Sequence, residues 1–516
     1  MARTARVADI ASIGTLNPAA GNLSRQLTQA LREAVRKGEL RAGDALPSTR
    51  LLAATLGVSR GTVLAAYEQL TAEGFLTATP SSGTCVALAL PAPYDAGTHP
   101  SEPAARRNGS RLPSAQRGAE QDERAIALPE PAATYARIAR EFAPLAPVPF
   151  AVSVPMDVTA PGDVWRKLGN RLRAKGPGAP AGYGDPLGAW PLREAIANYV
   201  RKSRSVRCEP GQVVVTSGTQ QGLFLASQVL LAPHDQVWAE NPAYRGVTAV
   251  LESTGHRDTT IRVPVDAEGI DVRAAIAMAP HARAAFVTPS HQYPLGMPMS
   301  MARRSALLEW ARARDAWIVE DDYDSELRYQ GYPFPSLQGL EPERVVYLGT
   351  FSKILFPSLR LGYAIVPDAL VDAFCGARVL MDRHPPNADQ YVLAAFLAEG
   401  HLERHVRRVR NVYAAYRSKL IETLGALLPD DLAWVEPGDQ GMHLVLWLAA
   451  AIDDRRVAEA ARHAGVSVRA VSPMFAPGTA RPGLVLGFGG FGHAQMIDAA
   501  RRLAAVIADA AKHAPS

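Results

Sequence analysis

Cysteine is scarce in this chain of 516 residues: Cys85, Cys208 and Cys375 are an odd, scattered set with no paired metal-ligand spacing. Such a set offers neither a disulfide framework nor a zinc site, and it fits a reducing compartment; no metal is expected. Long apolar runs are also missing. No stretch is long enough to span a bilayer, and the opening MARTARVADI lacks the apolar core of a secretion signal, so the expectation is a soluble, cytoplasmic protein with no membrane partner. Nor is there a strong excess of charge. A net +5 permits a polyanionic partner without requiring one, because a small excess over a large surface is weak steering. No internal repeat is apparent. What is present is ordinary globular composition, 47% hydrophobic and 20% charged, in a chain too long for one hydrophobic core.

Three zones separate by composition. Residues 22–88 alternate helical periods with short breaks, and residues 1–90 read as a small domain. Residues 91–144 run PAPYDAGTHPSEPAARRNGSRLPSAQRGAEQDERAIALPEP and onward, rich in Pro, Ala, Gly and charge, and read as a flexible linker too poor in large apolar residues to fold alone. Within it, AATYARIAREF has the pattern of a short docking helix. From residue 145 to 516, short β-rich runs (QVVVTS, QVWAE, AAFVTPS, AWIVEDD, RVVYLGTFS) alternate with longer helical patterns. That alternation predicts an α/β domain with a mostly parallel sheet covered on both faces.

In the first zone, Leu23, Leu27, Leu31 and Val35 share one helical face, and Gly38 ends the pattern. Two short helices are expected over Ser48–Leu56 and Ser59–Glu73, joined by Gly57-Val58, a helix-turn-helix arrangement. A hairpin, or wing, turning at Ser81-Ser82-Gly83 should follow. Ser59 is a natural N-cap, which puts Arg60 and Thr62 in the first turn of the second helix, the part that faces bases and phosphates in such motifs. Nine Lys/Arg stand against six Asp/Glu over residues 1–90, a net +3. A small helical protein-interaction module is the alternative. LPSTRLLAATLGVSRGTVLAAYEQLTAEGFL, however, resembles the winged helix-turn-helix of the GntR family of bacterial transcription factors over nearly its whole length. The resemblance implies DNA contacts from Arg41, Ser48, Arg50, Arg60, Thr62 and Gly83, with the capping Ser59 beside them. Arg50 and Arg60 suit phosphate or guanine, whereas Ser48 and Thr62 offer smaller hydrogen-bonding groups.

In the third zone, GTFSKILFPSLRLGY places Lys353 on a loop after a strand. A lysine amine condenses with an aldehyde to a Schiff base when desolvation and nearby cations lower its pKa, yet most lysines are solvated surface charges. Its company upstream carries more weight. VVVTSGTQQGLF runs from a strand through Gly218 into a helix led by Thr219 and Gln220, where free N–H groups suit a phosphate. Ser352 and Arg360 flank the lysine and can serve the same phosphate. Tyr244 can stack on a pyridine, Asp321 can pair with its nitrogen, and Tyr323 can reach its phenolic oxygen.

Taken in that order, the residues resemble the fold type I aminotransferases, which use pyridoxal 5'-phosphate (PLP). The resemblance implies that Tyr183 serves the phosphate of a neighbouring subunit, hence a homodimer. These enzymes usually carry Asn-Pro-Thr-Gly under the cofactor ring; here Tyr293 stands at the Asn, with His291 or Gln292 as candidate replacements. Where a substrate carboxylate is usually gripped by an arginine, RPGLVLGFGGFG offers Val485, with Arg481 on the approach. A GntR-type reader joined through a linker to an aminotransferase-like domain is the architecture of the MocR subfamily of bacterial regulators. It implies a regulator that binds operator half-sites and senses a small-molecule effector (an amine, an amino acid or PLP) with PLP on Lys353. A working aminotransferase carrying a DNA-binding head, and a regulator using the large domain only to dimerise, are the alternatives.

Overall fold

The computed structural model describes residues 16–79, 83–87, 128–142 and 147–513, save 153, 157, 158, 175 and 177. They fall into two compact units, one within Met1–Asp122 and the other within Glu123–Ser516.

In the smaller unit, α1 (Leu23–Arg36), α2 (Thr49–Leu56) and α3 (Arg60–Ala72) pack around Leu27, Leu31, Leu52, Val63, Tyr67 and Leu70. The buried stripe of α1 ends on Ala34, with Val35 only half-buried. Ser48 and Ser59 cap α2 and α3 by accepting from the Leu51 and Thr62 N–H groups, each cap stabilising its helix by about 1 kcal/mol. Gly57 closes α2 in the left-handed conformation at φ 66°, which lets α3 start at a sharp angle. β1 (Leu76–Thr79) and β2 (Gly83–Val86) form an antiparallel hairpin pairing Leu76 with Val86 and Thr79 with Gly83. Ser81 and Ser82 of the expected turn lie outside the described residues.

The larger unit opens with α4 (Glu130–Glu141), inside the segment read as linker. α4 docks on the helix Arg245–Ser253: Arg245 bridges Glu141 at 2.6 Å and Glu252 at 2.8 Å, and Glu252 also pairs with Arg137 and Arg257. The end of that segment is therefore folded against the large unit.

The main sheet contains β3 (Val213–Thr216), β4 (Val237–Asn241), β5 (Thr260–Asp266), β6 (Gly269–Ile270), β7 (Ala284–Val287), β8 (Trp317–Asp322), β9 (Val345–Thr350) and β10 (Gly362–Ile365), in the order β3-β10-β9-β8-β7-β4-β5-β6. β4, β5, β7, β8 and β9 run parallel; β4, β7 and β9 are buried along their whole length, as strands covered on both faces are, whereas β5 is only partly buried. β10 runs antiparallel to β9 and β3, and β6 antiparallel to β5. The chain between β9 and β10 is too short for a crossover helix, so the strand returns in the opposite sense. A second, antiparallel sheet of β11 (Ala433–Val435), β12 (His443–Leu448), β13 (Arg469–Ala470) and β14 (Gly483–Gly487) has the order β11-β12-β14-β13. One face packs through Leu444, Leu446, Leu484 and Leu486 on the helices His401–Leu427 and His493–Lys512. No helix among the described residues is long and apolar enough to cross a membrane.

Candidate functional site

Two separate surfaces carry chemistry. In the smaller unit, Arg41, Ser48, Arg50, Ser59, Arg60 and Gly83 are exposed and Thr62 is half-buried. Ser59 Oγ is engaged with both the Thr62 N–H, at 3.1 Å, and the Thr62 hydroxyl, at 2.8 Å. Ser59 and Thr62 thus fix the start of α3, while the Arg50 and Arg60 guanidiniums stand at the solvent-facing ends of α2 and α3. Gly83 holds φ 77° at the start of β2, a left-handed value that glycine adopts without strain.

In the larger unit, the carboxyl ends of the parallel strands converge, the usual place for a ligand in an open α/β sheet. A cavity of about 200 Å³ there is lined by Gly218, Thr219, Gln220, Tyr244, Asp321, Tyr323, Ser352, Lys353 and Arg360. Apart from His291 and Gln292, the residues proposed from the sequence to hold the cofactor within one chain therefore lie on one cavity. Phe142, Thr288, Tyr293, Met442, His443 and Arg469 complete its walls, together with others. Gly218, at φ 87°, is the N-cap of the helix Thr219–Leu230. The Arg360 guanidinium lies over it and donates to the Ser217 carbonyl at 2.5 Å. Strand alternation separates the two acids that end β8: Asp322 turns away and binds Arg204 at 2.7 Å, Tyr347 at 2.5 Å and Ser325 at 2.9 Å, leaving Asp321 for the cavity.

Electrostatics and hydrogen bonding fit a ring-bearing phosphate. Burial, with Asp322 and Asp324 adding to it and Lys353 opposing, pushes Asp321 up to about 7; a cation brought by a ligand would favour its ionised form. Burial also pushes Lys353 down, Asp324 and Asp321 opposing, Arg469 and Arg360 assisting, which favours the nucleophilic amine. Asp321 Oδ1, Ser352 Oγ and Gln220 Oε1 are buried without a hydrogen-bond partner among the described residues. Each such atom costs about 1–3 kcal/mol if left unsatisfied, so the cavity is chemically incomplete in the way a bound polar group would complete.

Residues 156–483 match the family described as aminotransferase class I and II, and residues 23–86 match the bacterial regulatory proteins of the gntR family. The probable rhizopine catabolism regulatory protein MocR of Rhizobium meliloti is 36% identical over 91% of this chain and 90% of its own length. The chain belongs to the MocR subfamily of GntR-type transcriptional regulators. The pyridoxine biosynthesis regulator PdxR of Corynebacterium glutamicum is 35% identical over 91% of this chain and 92% of its own. Among solved structures, kynurenine aminotransferase of Pyrococcus horikoshii, in complex with PMP, is similar with a TM-score of 0.65 and 27% identity, covering 75% of this chain and 95% of that one. LysN, an α-aminoadipate aminotransferase of Thermus thermophilus complexed with N-(5'-phosphopyridoxyl)-L-leucine, is similar with a TM-score of 0.67 and 26% identity over 74% and 98%.

Several features of this MocR-type cavity escaped the sequence reading. Neither His291 nor Gln292 lines it: Gln292 is spent on Glu240 and on the carbonyls of Pro242 and Tyr293, and His291 on Asp324. Tyr293 is the residue that faces in, edge-on to Tyr244, Tyr323 and His443 and hydrogen-bonded to Arg469. Val485 is buried in β14, and Arg469 sits directly opposite on β13 and lines the cavity; Arg481 is instead paired with Glu436. An arginine inside the β-like run VSVRAV was the one available signal. Tyr183 lies outside the cavity, 79% exposed under the Arg383 guanidinium.

Proposed function

We infer that this regulator binds operator DNA through α2, α3 and the hairpin, and uses the large unit to detect a small amine, amino acid or PLP itself through PLP held at Lys353. The observation that carries the reading is the meeting on one cavity of Lys353, the Gly218–Thr219 cradle and Asp321, whose Oδ1 has no hydrogen-bond partner among the described residues. When bound, PLP would supply a carbonyl carbon that condenses with amines. Thr219, Ser352 and Arg360 would hold the phosphate, Asp321 the ring nitrogen and Tyr323 the ring oxygen, with Tyr244 against the ring face. Arg469, across the cavity, would grip an effector carboxylate, so an amino acid fits as well as a simple amine.

We propose further that the protein acts as a cytoplasmic homodimer. Tyr183 is exposed near Arg383 and His384, and Leu380 of the same helical segment is 89% exposed, an apolar surface suited to a second copy. Two reading heads per dimer would engage two half-sites. Because Arg469 restores a carboxylate-binding cation, turnover as an aminotransferase stands as the second reading.

The test is an absorbance titration of the PLP-loaded protein with amines and amino acids, run alongside an assay for keto-acid product. Bands that shift without product support the sensor. Stoichiometric keto acid on repeated cycles supports the enzyme, and a protein that never acquires a visible band with PLP overturns both.

A further inference from the structure

Behind the cavity wall a second layer of polar groups meets at one nitrogen. His291 Nδ1 lies 2.9 and 3.0 Å from the two carboxylate oxygens of Asp324 and 3.0 Å from the Tyr323 hydroxyl. His291 and Asp324 are almost fully buried, with 3% and 1% of their side chains exposed, and the His291 ring stacks beside Tyr323 at 5.8 Å.

The proton positions follow from the chemistry of the partners. A carboxylate only accepts hydrogen bonds. Nδ1 therefore carries a hydrogen towards Asp324, whether the ring is neutral or charged. A nitrogen that holds a hydrogen there cannot accept one from Tyr323. The tyrosine oxygen shares the Nδ1–H, and its own hydrogen points away from His291, where Tyr323 lines the cavity beside Lys353.

We propose that His291 and Asp324 are positioning residues that lock the Tyr323 hydroxyl as a donor towards the ring oxygen of PLP. The role rests on the reading of the cavity as a PLP site. The other charged or titratable groups facing Tyr323 come from every wall: Asp321 on β8, Lys353 and Arg360 in the loop between β9 and β10, Arg469 on β13, Glu240 on β4, and His443 and Tyr293 across the ring. His443 cannot take over the task. Burial, with His291 beside it, pushes its pKa down to about 3, and its Nε2 is already bonded to the Pro294 carbonyl at 3.2 Å.

A donor to the ring oxygen stabilises that oxygen as an anion and weakens the hold on the proton shared with the neighbouring nitrogen. The readout is the pH midpoint of the visible absorbance change of the PLP-loaded full-length protein. Tyr323→Phe should raise the midpoint by about one to two pH units, the span of a charge-assisted hydrogen bond. Asp324→Asn should raise it too, because Nδ1 can then accept from Tyr323 and draw the hydroxyl away. Loss of a negative charge alone acts in the opposite sense, since an anion nearby favours the protonated form. Added to Tyr323→Phe, Asp324→Asn should produce no further rise. His291→Leu should raise the midpoint, and His291→Asn, whose amide N–H can still donate to Asp324, should recover most of the wild-type value. A fall with Asp324→Asn, or a rise that persists in the Tyr323→Phe background, overturns the positioning role. Absence of any visible band in the wild type overturns the PLP reading and the positioning role with it.

Discussion

Gly218→Ala should disable the phosphate cradle and leave the fold standing. Gly218 holds φ 87° and ψ 170°, a region that other residues enter at a cost of about 1–3 kcal/mol. The added methyl would stand 3.0 Å from Arg360 Nη2 and 3.3 Å from Nη1, so the guanidinium and its 2.5 Å bond to the Ser217 carbonyl must also shift. The free protein relieves this strain by letting the cradle relax, and ligand binding has to restore it. At about 1.4 kcal/mol per tenfold, PLP affinity should fall by about 5- to 150-fold. Absorbance titration of the PLP-free protein measures it. Gly211→Ala is the control: a Cβ there meets nothing within 4 Å, and affinity should not change. If Gly218→Ala bound PLP within twofold of wild type, the account of Gly218 and Arg360 as a shared cradle would be wrong.

Lys353→Ala should abolish the visible band of the lysine-bound cofactor and the response to effector, while melting temperature and basal DNA binding persist; a surviving band would point to another lysine. Arg50→Ala and Arg60→Ala should each weaken binding to the DNA upstream of the protein's own gene by about 1–3 kcal/mol, and unchanged affinity in both would remove α2 and α3 as the reading elements. Asp321, pushed up to about 7 by burial, holds its proton more tightly folded than unfolded. The stability this contributes is complete below the unfolded value near 4 and is lost as pH rises through 7. Melting temperature of the PLP-free protein should therefore fall across that window, and Asp321→Asn should flatten the fall; an identical profile in the variant would refute the assignment.

Much of this was legible in the sequence, for identifiable reasons. Ser48, Ser59 and Gly57 announce helix ends through local backbone chemistry, and the helices begin and end where those residues say. Thr219, Asp321 and Lys353 were legible because each stands at or just after the end of a strand that opens on apolar residues, and strands running the same way bring their carboxyl ends together. What stayed hidden depends on packing between distant segments. The antiparallel sense of β10 is invisible in the run LGYAIV, since direction is set by the chain that precedes it. Whether His291, Gln292 or Tyr293 faces the cavity is decided by Asp324 and Glu240, which claim the first two. α4 was a helical pattern without a visible partner until Arg245 and Glu252 met it.

Arg469 and Val485 oppose one another across β13 and β14, a separation of about 4.8 Å between strands. Arg469 lines the cavity from β13, so a cation reaches this interior from the strand beside the one on which the sequence pattern looks for it. A column-by-column search for an arginine on β14 would find Val485 and miss the arginine that lines the cavity from β13. Effector screens guided by that motif alone would leave amino acids out, although an arginine on β13 lines the cavity.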